Sequence, residues 1–487
     1  MSSFVRHTGR YREIAMALGR HGFGYLAEEI GLARLIRLPS RRRHTSERNS
    51  RTLAERIRLV LEELGPTFVK VGQLASTRSD LLPEAIIQEL IKLQDQVAPF
   101  PAAEARAILE AELDQPLAGL FQSFDETPLA AASIGQVHRA CLITGEPVAI
   151  KIQRPGIAPV IETDLDILQH LATLANKRWS WVSRYQIPQM VEEFARSIRA
   201  ELDYGFEGRN MERIRRQFTA DEGIYIPEVH WPLTTSRVLT MEFIEGEHLN
   251  RLLAIDALGY NRKELAERLV NALLKQIFEG GVFHADPHPG NLLVTNKGEL
   301  AFIDFGMIGR LSQEMKDHLS SLVIALMRRS TEGMVRAILR MGLIGDDADT
   351  TGLRMDLDRL RVRYYDIPFA EIQIGQALQD LFATAQKHQV VLPADLLLLG
   401  KALLTVEGVA LALDPDLRIL DLAEPFGRKL MREKYAARRI GKKLIDEAAE
   451  LTDSIVDLPQ QVRKLSSTLA RGKLKMDMNV PEMEQLL

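Results

Sequence analysis

The residues best suited to chemistry lie in HADPHPGNLLV, His284 to Val294, and in FIDFG, Phe302 to Gly306. Asp286 precedes Asn291 by five residues, and Asp304 follows thirteen further on. A carboxylate, an amide oxygen and a second carboxylate are what phosphoryl transfer asks of a protein. One serves as base or water-positioner, and the others as the one or two oxygen ligands that magnesium takes beside phosphate and water. The cation needed on the nucleotide phosphates has a candidate in Lys151, at the end of Pro147-Val-Ala-Ile-Lys, a strand sequence of the V-A-I-K type. Downstream, ARSIRAELDYGFEGRN offers Glu201, Asp203 and Glu207. Any of the three could pair with that ammonium and aim it at phosphate. His284 and His288 stand four apart, as two metal ligands on one helix face would, but Pro287 and Pro289 exclude a helix there. The expectation is a structural His284 beneath the loop and a Pro289-Gly290 turn that delivers Asn291.

These residues need elements to hold them. Residues 52–95 read as three helices punctuated by Gly65-Pro66 and Leu82-Pro83, followed by a helix through AAEARAILEAEL. Strand-like runs come next at Phe121–Asp125, Gly135–Leu142 and Pro147–Gln153, then helices over Ile157–Ala175 and Pro188–Gln217. IYIPEVHW and SRVLTMEFIEG return to strand, ending at Glu245-Gly246 as a hinge. The rest is largely helical except for a hairpin, NLLVTNKGELAFIDFG, turning at Asn296 to Gly298. A mainly β segment with helices, a hinge and a mainly helical segment predict an α+β, two-lobed protein-kinase-like fold with a helical N-terminal extension and extra C-terminal helices. The expected divisions are a basic segment at 1–50, the helical extension at 51–100, an N-lobe at 101–245, a C-lobe at 246–425 and a basic helical tail at 426–487.

The chain of 487 residues is 46% hydrophobic, long enough and apolar enough for more than one core. Its single cysteine, Cys141, allows no internal disulfide and no cysteine metal cluster, which fits a reducing compartment. The N-terminus shows no apolar core of a secretory signal. The most apolar stretch, VVLPADLLLLGKALLTVEGVALAL, is interrupted by Asp395, Lys401 and Glu407, so no membrane-spanning segment is expected. Net charge is −4, yet residues 1–60 hold thirteen arginines against five glutamates, and Arg428 to Lys443 carries eight positive charges against one negative. Both basic blocks suit an anionic lipid surface. Nucleic acid is not expected, since aromatic residues do not interleave the arginines.

Two departures from ordinary protein kinases stand out. The phosphate-covering loop, TPLAAASIGQVHRA, places Ala130, Ala131, Ala132 and Ser133 where glycines usually lie, which predicts a stiffer loop. After Gly306, MIGRLSQEMKDHLSS runs directly into a helix with no A-P-E sequence, leaving little room for an activation segment that seats a peptide. With PTFVKVGQ at residues 66–73, these features make the chain resemble the UbiB/AarF family of atypical protein-kinase-like proteins, associated with biosynthesis of ubiquinone and other isoprenoid quinones. The resemblance covers roughly residues 50–420 and rests on Lys70-Val71-Gly72-Gln73, Ala130 to Ser133, Val148 to Lys151, Glu201-Leu202-Asp203, His284 to Asn291 and Asp304 to Gly306. It implies that Lys70 and Gln73 line the active site as a cover. It also implies that Glu201 and Asp203 belong to the gating network, and that Glu207 partners Lys151. Many bacterial members end in a pair of hydrophobic segments that this sequence does not show: either the sequence is a shortened form, or the protein is a member held at membranes by its surface, for which the basic blocks matter more.

The resulting expectation is an ATP-dependent, magnesium-requiring kinase or ATPase. It would be peripheral at the cytoplasmic face of a membrane and act on or beside quinone-biosynthesis enzymes or isoprenoid lipids, with a homodimer left open. Asp286 is the expected catalytic residue and Asn291 and Asp304 the metal ligands, while Ala130 to Ser133, Lys151 and Glu207 form the ATP (or ADP) site. Alternatives are a small-molecule phosphotransferase of the aminoglycoside-kinase type and a nucleotide-dependent scaffold or lipid-presenting protein.

Overall fold

In a computed structural model, the described residues are 7–29, 51–76, 82–93, 97–179, 182, 187–219, 222–328, 330–341, 350–364, 373–388 and 392–435. The chain divides into two compact units, 1–426 and 427–487, and Lys151, Asp286, Asn291 and Asp304 all belong to the first. The C-terminal basic block is helical as far as Tyr435, and its remainder lies outside the described residues.

The N-terminal helices are α1 (Thr8–Arg20), α2 (Gly24–Glu29), α3 (Leu53–Leu64), α4 (Pro66–Ala75), α5 (Glu84–Leu90) and α6 (Ala102–Leu113). Thr52 and Glu55 close a reciprocal capping box on α3, and Pro66 opens α4, where a missing N–H costs nothing. Part of the basic N-terminal block is structural. Arg10 donates to the buried Asp164 at 2.7 and 3.0 Å and to the Leu64 carbonyl at 2.6 Å, and Arg58 bonds Glu62 and Glu89.

The upper sheet comprises β1 (Phe121–Phe124), β2 (Ala130–Ala131), β3 (Gly135–Leu142), β4 (Pro147–Gln153) and β6 (Val238–Glu242), in the order β1-β3-β4-β6 with β2 on β3; every pairing is antiparallel. Side chains alternate across a strand. Val148, Ile150 and Ile152 therefore enter one core with Ala105, Leu109 and Phe121, while Ala149, and with it the parity of Lys151, belongs to the opposite face.

Helices α7 (Ile157–Arg178), α8 (Ile187–Glu201) and α9 (Tyr204–Arg215) follow β4. The single helix expected over 188–217 is two helices, broken at Leu202-Asp203, where Asp203 takes φ −100° and ψ 95°. Tertiary bonds fix the break: Gln153 Nε2 donates to the Leu202 carbonyl at 2.8 Å, and the Tyr204 N–H donates to Ser236.

Below lies a second sheet, β5 (Ile224–Tyr225), β10 (Leu300–Phe302), β9 (Leu292–Thr295) and β7 (Gly246–His248), and a two-stranded ribbon of β8 (Val282–His284) with β11 (Ile308–Arg310). Gly298, at φ +78°, makes the β9–β10 turn. Eight helices complete the described part: α10 (Leu252–Ala257), α11 (Arg262–Lys275), α12 (Gln313–Met327), α13 (Thr331–Arg340), α14 (Thr350–Arg363), α15 (Ile374–Lys387), α16 (Ala394–Leu413) and α17 (Ile419–Tyr435). Only Leu311 and Ser312 separate β11 from α12, so the activation segment is short, as the sequence suggests.

Among the described residues one helix, α16, is long and apolar enough to cross a membrane. Its three charges are each engaged within the fold. Asp395 accepts from the Arg310 N–H, Glu407 from the Gly375 N–H, and Lys401 pairs with Asp286. Leu396, Leu397, Ala402, Val406 and Ala410 are buried in the core shared with α11.

Candidate active site

The site lies between the two sheets. Lys151 Nζ donates to both carboxylate oxygens of Glu207, at 2.9 and 2.8 Å, and stands 3.6 Å from Asp304 Oδ2. Of the three acidic candidates, only Glu207, on α9, reaches this lysine. Glu201, at the end of α8, instead pairs with Lys70 at 2.6 Å, and Asp203 with Arg209 at 3.0 Å. The break between α8 and α9 is what separates these roles.

Burial works against the charge on Lys151, but Asp304 and Glu207 outweigh it and hold its pKa well above the usual lysine range. Burial likewise pushes the Glu207 carboxyl upward, opposed by Lys151 and the Phe305 N–H. Two oxygens within 2.9 Å of one nitrogen is the geometry of an ion pair. Asp304 is also pushed upward by partial burial, yet Lys151 and the Gly306 N–H, 2.9 Å from its Oδ1, hold it at about 2. It is therefore a carboxylate at neutral pH.

His284 organises the loop below. Its ring is 1% exposed; Nδ1 accepts from the Asp286 N–H at 3.1 Å, which leaves Nε2 to donate to the Asp304 carbonyl at 2.5 Å. One neutral imidazole thus ties the backbones of both acidic residues, and burial keeps its pKa below the usual histidine value despite the nearby carboxylates. The Gln276 side chain anchors the His284 N–H at 2.8 Å. His288 caps the one-turn helix Pro289–Asn291, accepting from Gly290 at 3.2 Å, so it serves the turn rather than a metal. Asn291 Nδ2 donates to the Asp286 carbonyl at 3.2 Å, which leaves Oδ1 as the amide's acceptor. Ala285 is completely buried, so an arginine at that position has no space.

Above, Ala130 and Ala131 form β2 opposite Val137 and Gln136, and the Ala132 N–H bonds the Gly135 carbonyl at 2.8 Å. The alanine loop is thus a hydrogen-bonded hairpin tip. Ser133 Oγ and Tyr204 Oη are buried there without a hydrogen-bond partner, although each side chain is only 1% exposed. Lys151 Nζ stands 5.2 Å from the Tyr204 ring centre. Gln73 donates to the Leu93 carbonyl at 3.2 Å, so its amide braces the extension while Lys70 makes the contact with Glu201.

The donor set fits a magnesium-nucleotide: one fixed cation, one carboxylate, one free amide oxygen and unpartnered hydroxyls at the loop. Among the described residues no group of three His, Cys, Asp or Glu side chains forms a protein-only metal cluster.

Such a constellation, between a β-rich lobe and a helical lobe, defines a kinase-like protein. The chain belongs to the ABC1/UbiB family of atypical kinase-like proteins. The ABC1 atypical kinase-like domain matches residues 92–338 and the UbiB helical domain residues 357–418. An uncharacterized protein of Synechocystis sp. is 37% identical over 91% of this chain and 76% of its own length. A probable protein kinase UbiB of Xanthomonas euvesicatoria is 34% identical over 97% of this chain and 87% of its own. Among solved structures, an Rv3197–erythromycin complex from Mycobacterium tuberculosis shares the fold, with TM-score 0.52 and 24% identity over 75% of this chain and 93% of that one.

Sequence reasoning missed Lys401, Asn210 and Tyr204. Asn210 joins α9 to the Phe305 carbonyl at 3.4 Å, and no local pattern marks it. Lys401 did carry a signal, a lone cation within an apolar helix, which bore only on membrane spanning.

Proposed function

We propose that this chain is a magnesium-dependent, ATP-binding kinase or ATPase acting at an anionic membrane surface in support of ubiquinone or another isoprenoid quinone pathway. The observation that carries the reading is the convergence of Lys151, Glu207 and Asp304, with Asp286 tied to the same point through His284 and Asn291 tied to the Asp286 carbonyl. Lys151, oriented by Glu207, would receive the α and β phosphates; Asn291 Oδ1 and the Asp304 carboxylate would hold the metal. Magnesium bound there would supply positive charge to offset that of the phosphates. Asp286 positions the attacking oxygen and takes its proton. The basic block beginning at Arg428 supports the membrane setting. The quinone pathway follows from the family resemblance and the UbiB name of relatives. With so short a segment between Gly306 and α12, a lipid or small acceptor, or water, suits the site better than a docked peptide.

The test compares the purified chain with Asp304→Asn for magnesium-dependent nucleotide binding and ATP turnover. Equal behaviour of the two proteins overturns the assignment. Flotation with anionic and neutral vesicles tests the membrane setting, where a salt-sensitive preference for anionic lipid is expected.

The Lys70–Glu201 contact favours a second reading, in which nucleotide occupancy shifts α4 and the output is conformational. Unchanged protease sensitivity of residues 51–76 with and without nucleotide would remove it.

A further inference from the structure

Lys401 Nζ lies 3.1 Å from Asp286 Oδ1, on a helix far from the loop in sequence. The two other charges of that helix accept backbone N–H groups, Asp395 from Arg310 and Glu407 from Gly375, and are accounted for as struts. Lys401 alone of the three is aimed at a side chain of the site. Its other contact, Met307 Sδ at 3.9 Å, is with a weak acceptor. An ammonium carries three donors, so one carboxylate contact and one sulfur contact leave it hydrogen-bonding capacity.

A cation at that point would favour the chemistry. Asp286 and the transferring phosphoryl group must approach the same attacking oxygen, and both are anionic. In a partly buried site that repulsion is poorly screened. The loop itself supplies no fixed cation, since His288 spends Nδ1 on Gly290, and Lys151, on β4 and oriented by Glu207, is assigned to the α and β phosphates.

We propose that Lys401 is a catalytic cation supplied by the C-terminal helical region, bridging Asp286 and the terminal phosphoryl oxygens of the bound nucleotide. The inference rests on the kinase or ATPase reading and adds a residue to it. In the step, the bond between the terminal phosphorus and its bridging oxygen breaks, and the departing nucleoside diphosphate keeps the electron pair. A bond from the acceptor oxygen to phosphorus forms, and the acceptor proton passes to Asp286. The Lys401 ammonium takes no part in the proton transfer and offsets charge on the equatorial oxygens.

The experiment uses the full chain as wild type, Lys401→Met, Lys401→Arg and Asp304→Asn, with magnesium-ATP and magnesium-ADP affinities measured beside ATP turnover. ADP lacks the terminal phosphoryl group. Lys401→Met should therefore bind ADP like wild type while ATP affinity and turnover fall roughly 10- to 100-fold, and Lys401→Arg should recover most of the loss. Equal losses for ATP and ADP, or no loss, overturn the proposal. Lys401→Gln repeats the comparison if the methionine variant melts early. If wild type binds neither nucleotide, the site reading fails and this inference with it. If wild type binds both and Lys401→Met keeps the same ATP-to-ADP ratio, only this inference fails. The ratio decides even where turnover is too slow to measure.

Discussion

Lys70 Nζ lies 2.6 Å from Glu201 Oε1, joining α4 of the extension to the last residue of α8. Both side chains are partly shielded, at 16% and 26% exposure, so the pair should be worth more than a surface bridge yet remain sensitive to salt. Lys70→Met and Glu201→Gln should each speed nucleotide exchange several-fold, and the double variant should be no faster than either alone. A double-mutant cycle on melting temperature should return a coupling of about 1 kcal/mol that shrinks at high salt. Additive effects would mean that the two residues do not act as one latch.

Lys151 and Glu207 form a different kind of pair. Glu207 is 4% exposed, so removing its partner leaves a buried carboxylate uncompensated. Lys151→Met should cost about 3–5 kcal/mol in denaturant unfolding, whereas Lys151→Met combined with Glu207→Leu should regain much of that stability. Neither protein should bind nucleotide with wild-type affinity. A stable single variant alongside an unstable double one would contradict the account of the pair.

Much of this arrangement is legible in the sequence because chain order carries it. The Val-Ala-Ile-Lys strand, the Asp286 to Asn291 spacing and the Asp-Phe-Gly hairpin each fix a local geometry, and strand alternation sets the face of Lys151. The choice among Glu201, Asp203 and Glu207 is not legible from residue chemistry alone. Helical periodicity runs through Leu202-Asp203, and the break there depends on Gln153 and Ser236, which lie elsewhere in the chain. Lys401 was opaque for the same reason. A lysine in an apolar helix shows that something must solvate it, but not which carboxylate does.

The buried histidines set the behaviour at acid pH. Burial lowers the pKa of His284 below its usual 6.5, against the pull of Asp304 and Asp286, and burial lowers that of His138 against the Asp125 carbonyl. The unfolded chain therefore takes up protons first as pH falls. The stability these rings contribute is fully present above about 6.5 and is lost below it. Melting temperature should decline from pH 7 to pH 5, and His284→Gln should flatten part of that slope while His138 retains the rest. Asp304, held at about 2, acts in a separate window: its contribution is full above about pH 4 and is lost as the pH falls from there through about 2. A wild-type melting temperature flat between pH 7 and pH 5 would show that neither ring is held neutral by the fold.

Gly135 and Tyr204 constrain each other beside the alanine loop. A methyl group on Gly135 would overlap the Tyr204 hydroxyl and come within 2.5 Å of the Ile152 carbonyl oxygen, next to Lys151. The second contact is with backbone in the β3–β4 ladder, so Gly135→Ala should cost about 3 kcal/mol or more and shift the strand that carries the lysine. Tyr204→Phe removes a buried hydroxyl that has no hydrogen-bond partner, and should leave the stability of the nucleotide-free protein unchanged or raise it. Combining the two relieves only the hydroxyl overlap, so the double variant should recover part of the Gly135→Ala loss. If Tyr204→Phe instead lowers nucleotide affinity while leaving melting unchanged, the hydroxyl has its partner in the ligand, and the alanine loop with Ser133 becomes the next place to look for phosphate contacts.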